Sequence, residues 1–339
     1  EKINMWDSLV LLFAALVLVF VAAQAFTNSL EFLGERLGVS EGVTGSIFAA
    51  VGTALPETIV PIVAILAGGA AQHVNEEVGM GAILGAPFML ATLSLGVMGL
   101  FAARKRGWTD TLQPEISGSK RDISTFLCAF LLVTIAAFIP EAWPHELIAM
   151  ILVMMYFFYV LTTIRASASL VDNGHATEAD QSLYLGRILP AHPWVAVIQL
   201  LAGLLVLIWG ARLFVDGAQQ LSRILGVSAL VVSLLIVPVA TELPEKVNSV
   251  IWIRRGRDTL AFGNITGAMV FQGTMIPAIG MLLMPWRFED MFARLAVALA
   301  FMGIIWLGWL LLSGRLSPAS LCGNAFLYLL FVVAVVFYV

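Results

Sequence analysis

Two segments of the sequence each place a proline and a glutamate inside a run that is otherwise apolar. They read AAVGTALPE at residues 49–57 and VPVATELPE at residues 237–245. A carboxylate near the centre of a bilayer is energetically costly, so a glutamate in such a run indicates a functional site. A proline in a helix leaves a backbone carbonyl without its donor, which is tolerated there only where the backbone is buried in protein or lines a cavity. Both segments therefore predict a polar site inside the membrane.

The two segments belong to an internal repeat. Three matches share one displacement of 188 positions: LGVS at 37–40 with 225–228, LPE at 55–57 with 243–245, and Thr53 with Thr241. Hydrophobic segments that are interrupted by proline at matching positions of two halves indicate the binding site of a transporter. A single segment of this kind could be a coincidental proline kink, but two segments at the same displacement indicate a repeated functional element.

The composition defines the class of protein in which these segments lie. The chain has 339 residues, of which 60% are hydrophobic and 12% charged, with a mean hydropathy of +0.96. A water-soluble protein of this length could not cover so much apolar surface, which indicates an integral membrane protein. The apolar runs are about 20 residues long and do not alternate with a period of two, so they predict helices rather than strands.

Ten apolar runs are long enough to cross a membrane, and the expected fold is an all-α bundle of ten transmembrane helices. The runs cover residues 8–26, 42–66, 79–103, 123–139, 147–165, 194–214, 228–253, 260–284, 292–313 and 320–339. A central polar loop, residues 166–193, separates a first five-helix repeat (1–165) from a second (194–339). Because each half holds five spans, the second half enters the membrane from the opposite side, and the two repeats are inverted.

The basic residues predict an orientation in the cell membrane, either a plasma membrane or an inner membrane. Lys and Arg concentrate on the cytoplasmic side of membrane proteins. With the amino terminus outside, most of them fall in inside loops: Arg36, Arg104, Lys105, Arg106, Lys120, Arg121, Arg165, Arg187, Arg254, Arg255, Arg257 and Arg315. The opposite orientation would leave only a minority inside.

In this arrangement Glu57 and Glu245 are expected to meet near the middle of the membrane. Thr53 and Thr241 precede them by four residues, one helical turn, and so lie on the same faces. Carboxylates, hydroxyls and proline-freed carbonyls are hard oxygen ligands, which suit Ca²⁺ or another hard cation. Two carboxylates also neutralise a divalent ion, which lowers the cost of burying each charge.

The same residues resemble the Ca²⁺/cation antiporter superfamily, which includes the sodium/calcium exchangers. GTALPE at 52–57 and ATELPE at 240–245 are similar to its first conserved segment, and GNITG at 263–267, followed by Phe271, is similar to its second. The resemblance implies ten helices and exchange of Ca²⁺, or a similar divalent cation, for Na⁺ or H⁺ by alternating access. It implies that Glu57 and Glu245 bind the ion and that Thr53 and Thr241 contribute oxygens.

The sequence also departs from the family pattern. Where the family has Gly-Ser-Asn, this chain has Gly85-Ala-Pro and Gly267-Ala-Met, and its later asparagine positions hold Leu90 and Gln272. Ala54 replaces a serine. Ca²⁺ prefers roughly six to eight oxygens, so the site is expected to depend on backbone and water, and the family's Na⁺ sites are the most affected.

Two charged residues are added in the second copy. Glu242 lies three residues before Glu245 on the same helical face and is a candidate third ligand. It also lies four residues before Lys246, in the favourable order for an ion pair within a helix. Lys246 has two further readings: its ammonium replaces a coupling cation, or the side chain extends outward to the membrane surface.

Other residues are assigned supporting roles. Pro56 and Pro244 are expected to form half-helices that gate the site together with Gly85 and Gly267, whose duplicated spacing also suits close helix packing. Asn264 and Gln272 are either accessory ion contacts or hydrogen-bonding groups between helices.

The sequence lacks the enzyme signatures HExxH and a phosphate-binding Gly-Lys-Ser/Thr loop. The expected partners are inorganic cations and the lipid bilayer, with no resident cofactor and no nucleic acid. A monomer is compatible with the sequence, and the oligomeric state stays open. The alternatives are a divergent member with proton-linked or uncoupled transport, a channel, and a non-transporting sensor or partner subunit.

Overall fold

The computed structural model describes residues 5–36, 54–68, 72–140, 143–171, 183–187, 189–190 and 192–338. All regular elements in these ranges are helices. The first half contains α1 (Met5–Arg36), α2 (Leu55–Leu66), α3 (Gln72–Met89), a π-helical turn (Leu90–Ser94), α4 (Leu95–Arg106), α5 (Ile116–Ala136) and α6 (Trp143–Val171). A 3₁₀ turn (Leu185–Arg187) precedes the second half, which contains α7 (Pro193–Leu225), α8 (Ala229–Thr241), α9 (Leu243–Arg254), α10 (Asp258–Leu283), α11 (Met291–Leu312) and α12 (Pro318–Tyr338).

Seven helices of the described residues are long and apolar enough to cross a membrane. They cover Met5–Leu30, Gln72–Arg106, Trp143–Arg165, Pro193–Leu225, Asp258–Leu283, Met291–Leu312 and Pro318–Tyr338. Helix α2 and helix α8 are apolar but shorter, and α5 carries charged residues in its first two turns. The chain is therefore an all-helical integral membrane protein.

Several helices extend beyond the predicted spans. The first span was expected to end at Phe26, but α1 continues to Arg36. Two polar residues of this extension are satisfied inside the protein: Ser29 donates to the Ala25 carbonyl at 2.9 Å, and Asn28 Oδ1 accepts from Gln199 at 3.0 Å. Helix α6 likewise continues six residues into the expected central loop, to Val171.

The predicted seventh span is broken in two. Helix α8 ends at Thr241, Glu242 adopts φ −89° and ψ 4°, and α9 begins at Leu243 with Pro244 in its first turn. Helix α2 begins in the same way, at Leu55 with Pro56 in its first turn. Proline is favoured there because its missing N–H would have no acceptor within the helix and its φ is already helical.

Close packing of α3 on α8 holds the two halves together at the site. A methyl group added at Gly81 would overlap the Leu230 carbonyl, and one added at Gly85 would lie 2.6 Å from the Leu234 carbonyl. Glycine is therefore required at both positions for the two backbones to approach. The GxxxG spacing at 81–85 recurs at 263–267, but the packing of the two copies differs, since a methyl group at Gly263 would meet nothing within 4 Å.

Candidate functional site

The two repeated glutamates lie in the first turns of two half-helices. Glu57 follows Pro56 at the start of α2, and Glu245 follows Pro244 at the start of α9. Their exposed fractions are 3% and 4%. The amino end of a helix carries a partial positive charge and free N–H groups, which favours an acidic side chain in the first turn. Each half-helix thus holds a carboxylate inside the protein at its amino end.

A third carboxylate joins them. Glu242, in the turn between α8 and α9, is completely buried. Glu57 interacts electrostatically with both Glu245 and Glu242, and Glu242 with Glu245. The fold therefore concentrates three acidic side chains from the two halves of the chain in one buried region.

Gln272 of α10 lies against this group. Its Nε2 donates to Glu242 Oε1 at 2.6 Å, and its amide is also close to Glu57. Within the described residues, no donor reaches Gln272 Oε1, Glu57 Oε2 or Glu242 Oε2, although all three oxygens are buried. Buried acceptors normally have a hydrogen-bond partner. Oxygens left in this state are suited to a cation.

Lys246 is the basic side chain of the site. Its Nζ donates to the Pro238 carbonyl at 2.9 Å and contacts Met89 Sδ at 3.0 Å. It interacts electrostatically with Glu242 and Glu245, but the described salt bridges with N–O distances up to 4.0 Å do not include it. The ammonium therefore points inward, toward the break between α8 and α9, rather than outward to the membrane surface.

Neighbouring polar groups fix the position of α9. Asn264 Nδ2 donates to the Glu245 carbonyl and to Ser249 Oγ, both at 2.9 Å. Ser249 in turn donates to the Ala261 carbonyl at 3.1 Å. These bonds tie the first turns of α9 to α10 and so orient Glu245. Asn264 therefore contacts Glu245 at its backbone carbonyl.

The carboxyl end of α8 also faces this region. Thr241 is buried, and its hydroxyl donates to the Val237 carbonyl at 3.2 Å. The carboxyl end of a helix carries a partial negative charge and free carbonyls, which favours cations. The Lys246 ammonium donates to the Pro238 carbonyl. The carboxyl end of α8 therefore binds a positively charged group from the protein.

The structure does not place every predicted site residue in one cluster. Thr53 lies outside the described residues. The same holds for residues 41–53, which correspond to α8 in the sequence repeat. Gly267 lies near the Tyr159 hydroxyl, where an added methyl group would sit 3.5 Å from it. Within the described part of the chain, no three His, Cys, Asp or Glu side chains are close enough together to hold one metal ion.

Two kinds of buried residue are not predictable from the sequence. Met89 and Pro238 hold the Lys246 ammonium, yet no sequence pattern links a methionine to a lysine 157 positions away. Asp122 is buried and accepts from Tyr159 at 3.0 Å and Thr266 at 2.7 Å. Asp122 lies in a segment where the sequence predicts a loop. Its place directly before an apolar run is the one feature of the sequence that could have indicated a buried position.

A buried acidic region between broken helices, in an all-helical membrane protein, defines the class as a membrane transporter for cations. The model of the family described as "Sodium/calcium exchanger protein" matches residues 7–165 and 195–337. The chain therefore belongs to the sodium/calcium exchanger family, whose members are transporters rather than enzymes.

Individual relatives agree with this membership over most of their length. The sodium/calcium exchanger MaX1 of Methanosarcina acetivorans is 24% identical over 336 residues, covering 88% of this chain and 91% of the relative. The inner membrane protein YrbG of Escherichia coli is 24% identical over 307 residues, covering 87% and 88%. A solved structure of the H⁺/Ca²⁺ exchanger CAX shares the fold, with a TM-score of 0.70, 18% identity, and coverage of 97% of this chain and 82% of that one.

Proposed function

We propose that the protein is a secondary antiporter that exchanges Ca²⁺, or a similar divalent cation, for Na⁺ or H⁺ by alternating access. The observation that carries the proposal is the pair of repeated glutamates, buried at the amino ends of two half-helices from opposite halves of the chain. Oxygen ligands of this kind suit hard divalent ions. Two carboxylates also balance the charge of one such ion, which makes its burial affordable.

The proposed ligands are Glu57 and Glu245, with Glu242 beside them. Gln272 Oε1 supplies a buried neutral oxygen that accepts from no described donor. Thr241 and Thr53 are expected to add oxygens, and water completes a shell of roughly six to eight. Pro56 and Pro244 begin the half-helices, and Gly85 and Gly267 are proposed to allow the helices around them to move between the two access states.

Ten spans in two inverted repeats are proposed, and helix packing supports them. Helix α10 packs against α5 and α6 of the first half, while the α3–α4 segment packs against α11 and α12 of the second. Helices of each half thus pack on helices of the other half, which is expected if a pseudo-twofold axis in the membrane plane relates the two repeats. In this reading α2 and its preceding residues correspond to α8 and α9.

The proposed orientation in the cell membrane has the amino terminus outside. It places the basic ends of α4 and α9, at Arg106 and Arg254, on the inside, as the distribution of charge requires. A cysteine placed at Glu146, which is exposed at the start of α6, should then react with an impermeant thiol reagent from outside the cell. Reaction only after the membrane is permeabilised would contradict this orientation.

The function is tested by transport in proteoliposomes. Uptake of radioactive Ca²⁺ is measured first with an imposed Na⁺ gradient and then with a pH gradient. The protein should take up Ca²⁺ with at least one of them, and Glu57→Gln should abolish the uptake because a neutral amide does not replace a charged ligand. Glu146→Gln is the matched control, since this glutamate is exposed and should leave uptake unchanged. No uptake under either gradient would contradict the proposal.

A further inference from the structure

A groove between α5 and α11 lies on the surface of the bundle, apart from the acidic site. Its volume is about 400 Å³. Its lining runs from Ile116 to Leu127 on α5 and from Ile304 to Leu312 on α11. Apart from Lys120 and Ser124, the described residues that line it are apolar. A groove of this composition in a membrane protein is suited to a lipid chain.

The length of the groove matches one leaflet of a bilayer. From Ile116 to Leu127, eleven residues apart, a helix rises about 16 Å. This is about half of a hydrocarbon core of about 30 Å. Beyond the lining, the rings of Phe130 and Phe301 pack with their centroids 5.1 Å apart. The groove therefore has room for an acyl chain from one leaflet rather than for a helix that crosses the membrane.

Gly308 leaves space in this groove that helix packing does not require. A methyl group added at Gly308 would lie 3.6 Å from Ile123, which is an ordinary contact. At Gly303, earlier in α11, an added methyl group would overlap the Ala91 carbonyl. Close approach of helices thus explains the glycine at 303 but not the one at 308. The missing side chain at 308 instead widens the groove.

The groove carries two positive charges at the end where α5 begins and α11 ends. Lys120 lines it, and the Arg315 guanidinium lies 5.7 Å from the ring centroid of the tryptophan in the lining. Both are exposed, and neither takes part in the ion pairs of the described residues. Glu115 accepts from two backbone N–H groups at the amino end of α5, whose partial positive charge offsets it. The neighbouring Arg121 and Asp122, 3.8 Å apart, add no net charge.

We propose that the groove binds one phospholipid with an anionic headgroup, taken from the leaflet at this end of the bundle. An acyl chain lies along the apolar lining, and the phosphate lies between Lys120 and Arg315. The ring of Trp309 then lies at the level of the headgroup, where tryptophan is favoured. Basic pockets between transmembrane helices bind anionic headgroups in this way. The inference does not depend on which ion the protein carries.

Lipid binding to the full chain is measured by native mass spectrometry after the protein is stripped of lipid in detergent. Phosphatidylglycerol and phosphatidylcholine with the same acyl chains are titrated separately, and the Kd of the first bound lipid is compared. The native protein should bind phosphatidylglycerol about 30-fold more tightly, since two basic side chains near an anionic headgroup contribute about fivefold each.

Variants of the two charges test the headgroup site. Lys120→Gln and Arg315→Gln should each reduce the preference for phosphatidylglycerol about fivefold, and the double variant should remove it. Lys105→Gln is the matched control, because Lys105 is exposed in the last turn of α4 and lies outside the groove lining. It should keep the full preference.

A variant that fills the groove tests the site of the acyl chain. Gly308→Leu should weaken phosphatidylglycerol binding by about tenfold or more, since each CH₂ group lost from an apolar contact costs about fourfold. Gly263→Leu is the matched control, because an added methyl group there meets nothing within 4 Å. It should bind the lipid as the native protein does.

Because the readout is lipid binding and not transport, failure of this inference is distinct from failure of the proposed function. Equal Kd values for the two lipids in the native protein would overturn it. So would an equal loss of preference in Lys105→Gln, or full affinity in Gly308→Leu. Displacement of the lipid by excess glycerol phosphate would indicate a soluble phosphate site instead. A dimer that forms without lipid and is lost in Gly308→Leu would identify a second copy of the chain as the occupant.

Discussion

At the scale of single residues, Gln272 connects the ligands to the helix behind them. It donates to Glu242 at 2.6 Å and presents a buried amide oxygen. Gln272→Leu should weaken Ca²⁺ binding by about tenfold or more, since loss of a hydrogen bond to a charged group costs about 1.5–3 kcal/mol. Isothermal titration of the purified protein measures the Kd.

Gln199 provides the matched control for this variant. It is also a buried glutamine, and it donates to the Ala25 carbonyl at 2.8 Å and to Asn28 at 3.0 Å, between α1 and α7. Gln199→Leu should lower thermal stability without changing the Kd for Ca²⁺. An equal loss of affinity in both variants would mean that Gln272 acts through general stability rather than at the site.

The sequence predicted the carboxylates of the site better than their surroundings. Glu57, Glu242 and Glu245 were identifiable because a charge in an apolar run is expensive and has few explanations other than function. The contacts of Lys246 were not identifiable, because the sequence left three directions open for its side chain. Tertiary packing decides among them, since the acceptors come from α8 and α3.

At the scale of helices, the packing of α3 on α8 gives a direct prediction. A methyl group at Gly85 would lie 2.6 Å from the Leu234 carbonyl and 2.8 Å from Pro238, so Gly85→Ala forces the two helices apart. Such overpacking costs about 1–3 kcal/mol. The variant should lower the Tm of the protein in detergent and reduce Ca²⁺ transport.

The repeat supplies the control at Gly263, where an added methyl group meets nothing within 4 Å. Gly263→Ala should be neutral or raise stability by up to about 1 kcal/mol, because alanine favours the helix more than glycine does. Equal loss of stability in both variants would show that helix approach at Gly85 is not the cause.

Helix ends were harder to predict than helix positions. The sequence predicts the apolar centres of the helices, but its pattern predicts loops at Asn28, Ser29 and Asp122, because polar residues usually mark a boundary. In the structure these side chains are buried and hydrogen-bonded, which removes the cost of continuing the helix. The satisfaction of a polar group by a distant partner cannot be seen in a local pattern.

At the scale of the whole molecule, two features support a carrier. The repeated Leu-Pro-Glu segments bring one carboxylate from each half to the same region, and the two halves exchange packing partners through α10 and the α3–α4 segment. The repeat could be predicted from spacing because identical positions recur at one displacement. The sequence also shows that Glu242 and Lys246 occur only in the second copy. The directions in which their side chains point could not be predicted, because they depend on tertiary packing.

The central claim, that this chain carries Ca²⁺ by alternating access, is tested most directly by counterflow. Proteoliposomes are loaded with unlabelled Ca²⁺, diluted into trace radioactive Ca²⁺ with no gradient of Na⁺ or H⁺ and with the membrane potential held at zero by K⁺ and valinomycin, and followed over time. The account predicts a transient accumulation of label above its equilibrium level in the native protein and none in Glu57→Gln. Equilibration of label without that transient would indicate a channel, and no entry of label would contradict Ca²⁺ transport.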